Sequence, residues 1–454
     1  MKKLFILSLA TLGFVACSKR ADYIVLSGKI DGYNGAPLKI IGGDFNADLH
    51  VNPADGTFRD TLKVNNNYYY YTIANPMYGI QVPIYLEKGS QVDVNINLSS
   101  NPIGATFTGD DASINSYLQK KQVLSFEFQD KVQDFFSQKP EEFQKSIIEV
   151  GKKYLDLLNG EKELSKKFVT LEAKNINYEL LYFKNLYEGA HQQLTKEAAK
   201  LPKEIAEELS RLDYDLSKDF EIYNFYKLLV NDNLDTKIEH LEDGDISFAK
   251  AAKYIETLKS ENIKNALSRQ FVNAISVMNT PKVNNELIEI VKANVKDSVT
   301  LAVFNKRVEA LERLKEGKDF PAFEGEDANG NTVTYESLKG KLLYIDIWAT
   351  WCAPCRAEIP ALKALVEEYK GKDLTFVSIS VDQDKDKWKD FVAKEGLTGV
   401  QLYENIAIHP DFAEKYELSG IPRFILVDKE GKIISIAAPT PSNPKIKELI
   451  NAHL

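Results

Sequence analysis

Residues 342–356 read Leu342-Leu343-Tyr344-Ile345-Asp346-Ile347-Trp348-Ala349-Thr350-Trp351-Cys352-Ala353-Pro354-Cys355-Arg356. Leu342–Trp348 is an apolar run interrupted once, by Asp346, as expected of a strand covered on both faces. Ala357–Tyr369 then has helical periodicity. The two cysteines therefore stand where a strand hands over to a helix. A helix N-terminus presents unbonded N–H groups and a partial positive charge. A thiolate at Cys352 is stabilised there and should titrate below the free-cysteine value of about 8.5. Cys355 lies one turn further in, close enough to close a disulfide with Cys352. Pro354 lacks an N–H and pre-sets φ, which suits the first turn. Such a pair can pass between dithiol and disulfide by nucleophilic exchange.

Two rival readings of the spacing fare worse. Half a zinc site needs two further ligands. The third cysteine is Cys17, and His50, His191, His240, His409 and His453 are dispersed, so no metal site is expected. A purely structural disulfide across so short a loop would contribute little.

Outward from this segment, strands alternate with helices. Leu374–Val381 and Phe424–Val427 read as strands, the latter forming a hairpin with Ile433–Ala437. Trp388–Glu395, Pro410–Tyr416 and Ile446–Ala452 read as helices. The pattern predicts an α/β domain over 318–454. Residues 112–317 carry helical spacing, as in Phe143, Ile147, Val150, Tyr154 and Leu158. Their charges read as solvated helix faces, and Gly317 is expected as a C-cap. Residues 17–111 hold short β runs at Tyr23–Leu26, Leu38–Ile41, Tyr68–Ile73, Ile84–Leu86 and Val92–Ile96. Turn signals separate them, which predicts an antiparallel sandwich or barrel. The Tyr68–Tyr71 cluster reads as a strand with one ring face packed inward rather than as a ligand platform. The expected chain is multidomain: an N-terminal β sandwich or barrel, a central α-helical region and a C-terminal α/β domain.

Composition narrows the function. Of 454 residues 44% are hydrophobic, which excludes wholesale disorder. A net charge of −9 lacks the basic footprint of nucleic-acid binding. Three cysteines cannot staple a chain this long. Residues 1–16 have the shape of a secretory signal: Lys2 and Lys3, then an apolar run from Leu4 to Val15. The run is shorter than the roughly 20 residues of a membrane-spanning helix. Phe14-Val15-Ala16-Cys17 resembles a bacterial lipobox. That resemblance implies lipidation of Cys17, a mature chain beginning there, and a tether to the cell envelope. Ser18-Lys19-Arg20 is basic rather than acidic, which favours a periplasm-facing anchor.

Asp346 through Arg356 resembles the active-site segment of the thioredoxin superfamily, and within it the TlpA/ResA-like branch of the AhpC/TSA-related group. Asp346 precedes Cys352 by six residues and Pro360 follows it by eight, as the family's buried acid and kinking proline do. Gly420-Ile421-Pro422 matches the cis-proline loop. Phe320-Pro321-Ala322-Phe323 and Leu338-Lys339-Gly340-Lys341 resemble the branch's hairpin lead-in, and its insert falls around Asp382–Val400. The resemblance implies the following roles. Cys352 attacks and Cys355 resolves. Asp346 accepts the Cys355 proton. Pro422 is cis, and Ile421 pairs with the client backbone. Trp351, Ala353 and Pro354 face the client. Glu358 is read both as a modulator of the dithiol and as an ordinary acid near a helix start. Ala353 stands where some cytochrome-maturation members carry Glu, which weakens the case for a dedicated cytochrome c role. Arg423, where thioredoxins often have Thr, is expected to alter client preference.

Leu26-Ser27-Gly28-Lys29-Ile30, Asp55-Gly56-Thr57-Phe58 and Leu86-Glu87-Lys88-Gly89 resemble an uncharacterised β domain that precedes such modules in bacterial lipoproteins. The expected function is a membrane-anchored thiol-disulfide oxidoreductase acting on protein thiols and disulfides, as reductase or isomerase. It needs no cofactor beyond the Cys352–Cys355 disulfide and is recharged by an inner-membrane electron donor. The upstream regions would serve client binding or a homodimer. Two alternatives are a thiol peroxidase and a redox-switched binding lipoprotein. The first is disfavoured because Ala349 stands where peroxiredoxins need Thr.

Overall fold

The computed structural model describes residues 21–43, 45–64, 69–75, 79–100, 103–241, 246–405 and 407–454. The signal-like segment, Cys17 and Tyr68 lie outside them. The chain divides into two units, Met1–Asn233 and Leu234–Leu454. The helical stretch 112–317 is thus shared between the units.

The first unit opens with β1 (Ile24–Asp31), β2 (Leu38–Gly42), β3 (Phe45–Leu49), β4 (Thr57–Leu62), β5 (Tyr70–Asn75), β6 (Ile80–Tyr85), β7 (Gln91–Asn97) and β8 (Gly104–Gly109). They form two four-stranded sheets, ordered β4-β1-β7-β8 and β3-β2-β5-β6. Period-two alternation places Val92, Val94 and Ile96 of β7 inward. Every strand pair is antiparallel except β1 with β7, which run parallel. There Gly28 lies opposite Val94, and a Cβ at Gly28 would stand 1.8 Å from the Val94 carbonyl oxygen. Strands β3, β4 and β8 lie outside the β runs expected from the sequence; each is short and largely exposed, burying only Leu49 in β3, Phe58 and Leu62 in β4, and Phe107 in β8.

Seven helices follow: α1 (Ala112–Gln129), α2 (Val132–Ser137), α3 (Pro140–Gly160), α4 (Lys166–Thr195), α5 (Lys203–Ser210), α6 (Ser217–Ile222) and α7 (Asn224–Asp235). Tyr85 of β6 shares a core with Tyr117, Tyr154 and Phe168. Asn115 of α1 accepts from the Tyr85 N–H at 2.6 Å and donates to its carbonyl at 3.2 Å. The charges here are not all on solvated faces. Lys121, 8% exposed, bridges buried Glu172 and Glu179 at 2.8 and 2.9 Å, and Tyr70 donates to Glu172 at 2.6 Å. The two carboxylates hold the Lys121 pKa well above its ordinary value against the opposing effect of burial. Their spacing matches a surface stripe, and only packing against the sheet sets them inside.

The second unit begins with a short β9 (Glu239–His240) and β10 (Ile246–Ser247). Helices α8 (Ala249–Thr257), α9 (Glu261–Arg269), α10 (Pro281–Asn294) and α11 (Ser298–Arg313) follow. Helix α11 is capped by Leu314, not by Gly317. Gly317, at φ 78°, instead turns the chain so that its N–H reaches the Ile433 carbonyl at 2.8 Å. Then come β11 (Glu324–Glu326), β12 (Thr332–Thr334), β13 (Leu342–Trp348), α12 (Ala353–Glu368), β14 (Leu374–Ser380), α13 (Lys385–Glu395), β15 (Val400–Tyr403), α14 (Pro410–Lys415), β16 (Arg423–Val427), β17 (Ile433–Ser435) and α15 (Lys445–Asn451). They build a seven-stranded sheet, ordered β12-β11-β15-β14-β13-β16-β17.

Strand β13 lies deep in that sheet, parallel to β14 and antiparallel to β16. All seven of its residues are buried. Ile345 and Ile347 face a core containing Trp388 of α13 and Phe412 of α14. Leu342 and Tyr344 face the opposite core, with Leu365 of α12 and Ile446 and Ile450 of α15. Helices thus cover both faces of a mixed sheet, the layering of a thioredoxin-like α/β domain. Among the described residues no helix is long and apolar enough to cross a membrane.

Candidate active site

The site forms at the C-terminal end of β13. Cys352 is the N-cap of α12, and its Sγ accepts from the Cys355 N–H at 3.2 Å. Pro354 stands in the first turn, and Pro360 lies inside the helix. Cys352 and Cys355 form a disulfide with Cα atoms 5.3 Å apart. Both are buried, at 4% and 5% exposure, whereas the Trp351 beside them is 66% exposed. Ala353 and Pro354 are exposed as well. The cysteines thus lie behind a small open surface with one large aromatic ring on it.

Across from the disulfide, the Ile421–Pro422 peptide is cis. The Ile421 carbonyl oxygen lies 3.8 Å from Cys352 Sγ. Arg423 is 2% exposed and donates from Nη2 to the Glu417 carbonyl at 3.1 Å. It supports the loop from inside and offers no surface of its own to a client.

Behind the disulfide a narrow cavity of about 20 Å³ is lined by Asp346, Trp348, Cys355, Glu358, Ser378 and Gln401 among others. Asp346 is 7% exposed, and its Oδ1 has no hydrogen-bond partner among the described residues. Burial pushes its pKa up to about 8, with nearby Glu358 adding to the rise and a Ser378 hydrogen bond opposing it. Glu358 is half-buried. Its carboxylate accepts from the Ser442 N–H at 2.9 Å and the Ser442 hydroxyl at 2.7 Å. It is therefore tied into the fold rather than standing free on the helix.

The sequence reading missed the clamp in front of the cysteines. Asp382, two residues past β14, accepts from the Thr350 N–H at 2.9 Å and the Thr350 hydroxyl at 2.6 Å. An acid just past a buried strand is a visible signal, but its partner is set by which strand lies next to β13. Among the described residues no cluster of three or more His, Cys, Asp or Glu is placed to hold a metal. Cys17 lies outside the described residues.

The C-terminal part of the chain is similar in sequence to known proteins. The Redoxin family matches residues 315–450. The thiol-disulfide oxidoreductase ResA of Bacillus subtilis (strain 168) is 26% identical over 149 residues, 33% of this chain and 82% of its own length. ResA of Bacillus anthracis is 30% identical over 127 residues, 27% of this chain and 69% of its own. Among solved structures, the thioredoxin domain of a thiol-disulfide oxidoreductase from Bacteroides vulgatus is 31% identical. The match covers 31% of this chain and 95% of that one, with a TM-score of 0.27. On the strength of the ResA matches, the chain belongs to the ResA-like thiol-disulfide oxidoreductases of the thioredoxin fold.

Proposed function

We propose that the chain reduces or isomerises disulfides of exported proteins, with Cys352 as the attacking thiol and Cys355 as the resolving one. The observation that carries this reading is the placement of the pair. Cys352 caps α12 beside exposed Trp351 and the Ile421 carbonyl, while Cys355 lines the inner cavity with Asp346.

In the reducing direction, the Cys352 thiolate attacks a client disulfide. A Cys352–client disulfide forms and one client thiolate leaves. The Cys355 thiol then gives its proton to Asp346, and the resulting thiolate attacks Cys352 Sγ. The internal disulfide closes and the second client thiolate leaves, so two electrons have passed to the client. An Asp346 pKa near 8 suits proton exchange with a thiol, whose unperturbed pKa is about 8.5. The cis Ile421–Pro422 peptide offers backbone to an extended client segment, and Trp351, Ala353 and Pro354 provide the contact surface. Glu358 acts on the same cavity as a charge that favours the protonated Asp346.

We place the enzyme in the cell envelope, lipid-anchored at Cys17 and facing the periplasm, with an inner-membrane donor returning electrons to Cys352–Cys355. The support is the signal-like segment and the lipobox resemblance. Equilibrating the pair with glutathione tests the direction. A potential near the thioredoxin value of about −270 mV is expected, and one near about −120 mV would reverse the assignment to an oxidase.

A further inference from the structure

The end of β14 holds a buried carboxylate that the exchange steps do not use. Asp382 is 3% exposed. Its Oδ2 accepts from the Thr350 N–H at 2.9 Å and the Ser380 hydroxyl at 2.7 Å, and its Oδ1 accepts from the Thr350 hydroxyl at 2.6 Å. Among the described residues no cation pairs with it, so three neutral donors hold the carboxylate. The backbone around it is fixed as well: the Val381 N–H donates to the Trp348 carbonyl at 2.9 Å, and the Cys352 N–H to the Ala349 carbonyl at 3.1 Å. The turn thus held, Ala349–Trp351, links β13 to the N-cap cysteine. Trp351 is too exposed to anchor it by packing.

We infer that Asp382 is a positioning residue of the dithiol centre: it fixes the Thr350 turn that delivers Trp351 and Cys352, and its negative charge keeps the pair reducing. The inference rests on the proposed role of Cys352 as attacking thiol. Thr350 is two residues from Cys352, a chain span of at most about 7 Å. The Asp382 carboxylate stands one 2.9 Å hydrogen bond beyond Thr350, so its charge lies on the order of 10 Å from the thiol, where a shielded negative charge disfavours a thiolate severalfold. Disfavouring the thiolate destabilises the dithiol form and makes the pair a stronger reductant. Asp346, Glu358 and Arg356, the other charged groups near the pair, are left unchanged in the variants below.

The test uses the full chain carrying Asp382→Asn, Asp382→Ala or Thr350→Val. Tryptophan fluorescence checks folding, since all three tryptophans are in the C-terminal unit. In Asp382→Asn the glutathione equilibrium should move severalfold toward the dithiol. Insulin reduction should fall at least tenfold in Asp382→Ala and recover most of that loss in Asp382→Asn, which keeps an acceptor for the Thr350 N–H. Thr350→Val keeps the charge and loses one donor, so its insulin rate should fall with the equilibrium within twofold of the parent. This variant carries the test if the Asp382 variants do not fold. The inference is overturned by an Asp382→Asn equilibrium within twofold of the parent, by an Asp382→Ala rate that Asn does not recover, or by an unchanged Thr350→Val rate. A Cys352→Ser control separates the two readings. If that variant is inactive, failure at Asp382 sinks only this inference; if it still exchanges disulfides, the role of Cys352 falls first.

Discussion

Replacing Asp346 by Asn should change how stability depends on pH, and the size of the change follows from the site. In the unfolded chain this carboxyl ionises near 3.8, whereas in the fold burial holds it protonated up to about 8. Between those values the folded state binds one more proton than the unfolded state. Stability is therefore lost as pH rises through this window. The window spans about 4 pH units, each worth about 1.4 kcal/mol, so the parent should lose on the order of 5 kcal/mol between pH 4 and pH 8 through this group. The replacing amide has a similar shape and does not titrate. The Asp346→Asn variant should match the parent in stability below about pH 4, be already about 1.6 kcal/mol more stable at pH 5, and increasingly more stable at pH 7 and pH 9. Chemical unfolding of the oxidised protein followed by tryptophan fluorescence reads this out, because Trp348, Trp351 and Trp388 all lie in the C-terminal unit. Other titrating groups cancel in the difference between the two proteins. Parallel stability curves for parent and variant from pH 5 to pH 9 would refute the reasoning. The same substitution should slow release of a Cys352-bound client, because it removes the proton acceptor proposed for Cys355.

Three further substitutions probe separate parts of the account. Trp351→Ala should raise KM for a protein client severalfold with unfolding midpoints unchanged, since the ring is two-thirds exposed; steady-state insulin reduction with parallel melts checks it. Lys121→Met leaves Glu172 and Glu179 buried without their cation, and should cost about 3–5 kcal/mol in unfolding monitored by far-UV circular dichroism. Gly28→Ala would drive a Cβ into the Val94 carbonyl across the parallel β1–β7 pair; a loss of about 3 kcal/mol in the same assay is expected, and an unchanged midpoint would show that the strands separate freely.

Much of the C-terminal domain was legible because its signals are local. A buried strand broken by one acid, two cysteines a turn apart and a proline in the first turn specify a strand, a cap and a helix without reference to the rest of the chain. What could not be read depends on neighbours distant in sequence. Asp382 matters because β14 lies beside β13. Glu358 is fixed by Ser442, 84 residues away, so its sequence context left two readings open. The ion cluster of Lys121, Glu172 and Glu179 has the spacing of a solvated helix face, and only packing against the tyrosines of the sandwich buries it. Arg423 follows the cis-proline in sequence but is buried with the rest of β16, its guanidinium donating to the Glu417 carbonyl.

The central claim is that electrons pass through a client bond to Cys352, resolved by Cys355. The most direct measurement is mass spectrometry of the reduced Cys352→Ser and Cys355→Ser variants after brief exposure to a disulfide-containing client. The expected result is a stable client adduct on Cys352 in the Cys355→Ser protein and no adduct in the Cys352→Ser protein. An adduct on Cys355 alone, or none in either variant, would contradict it.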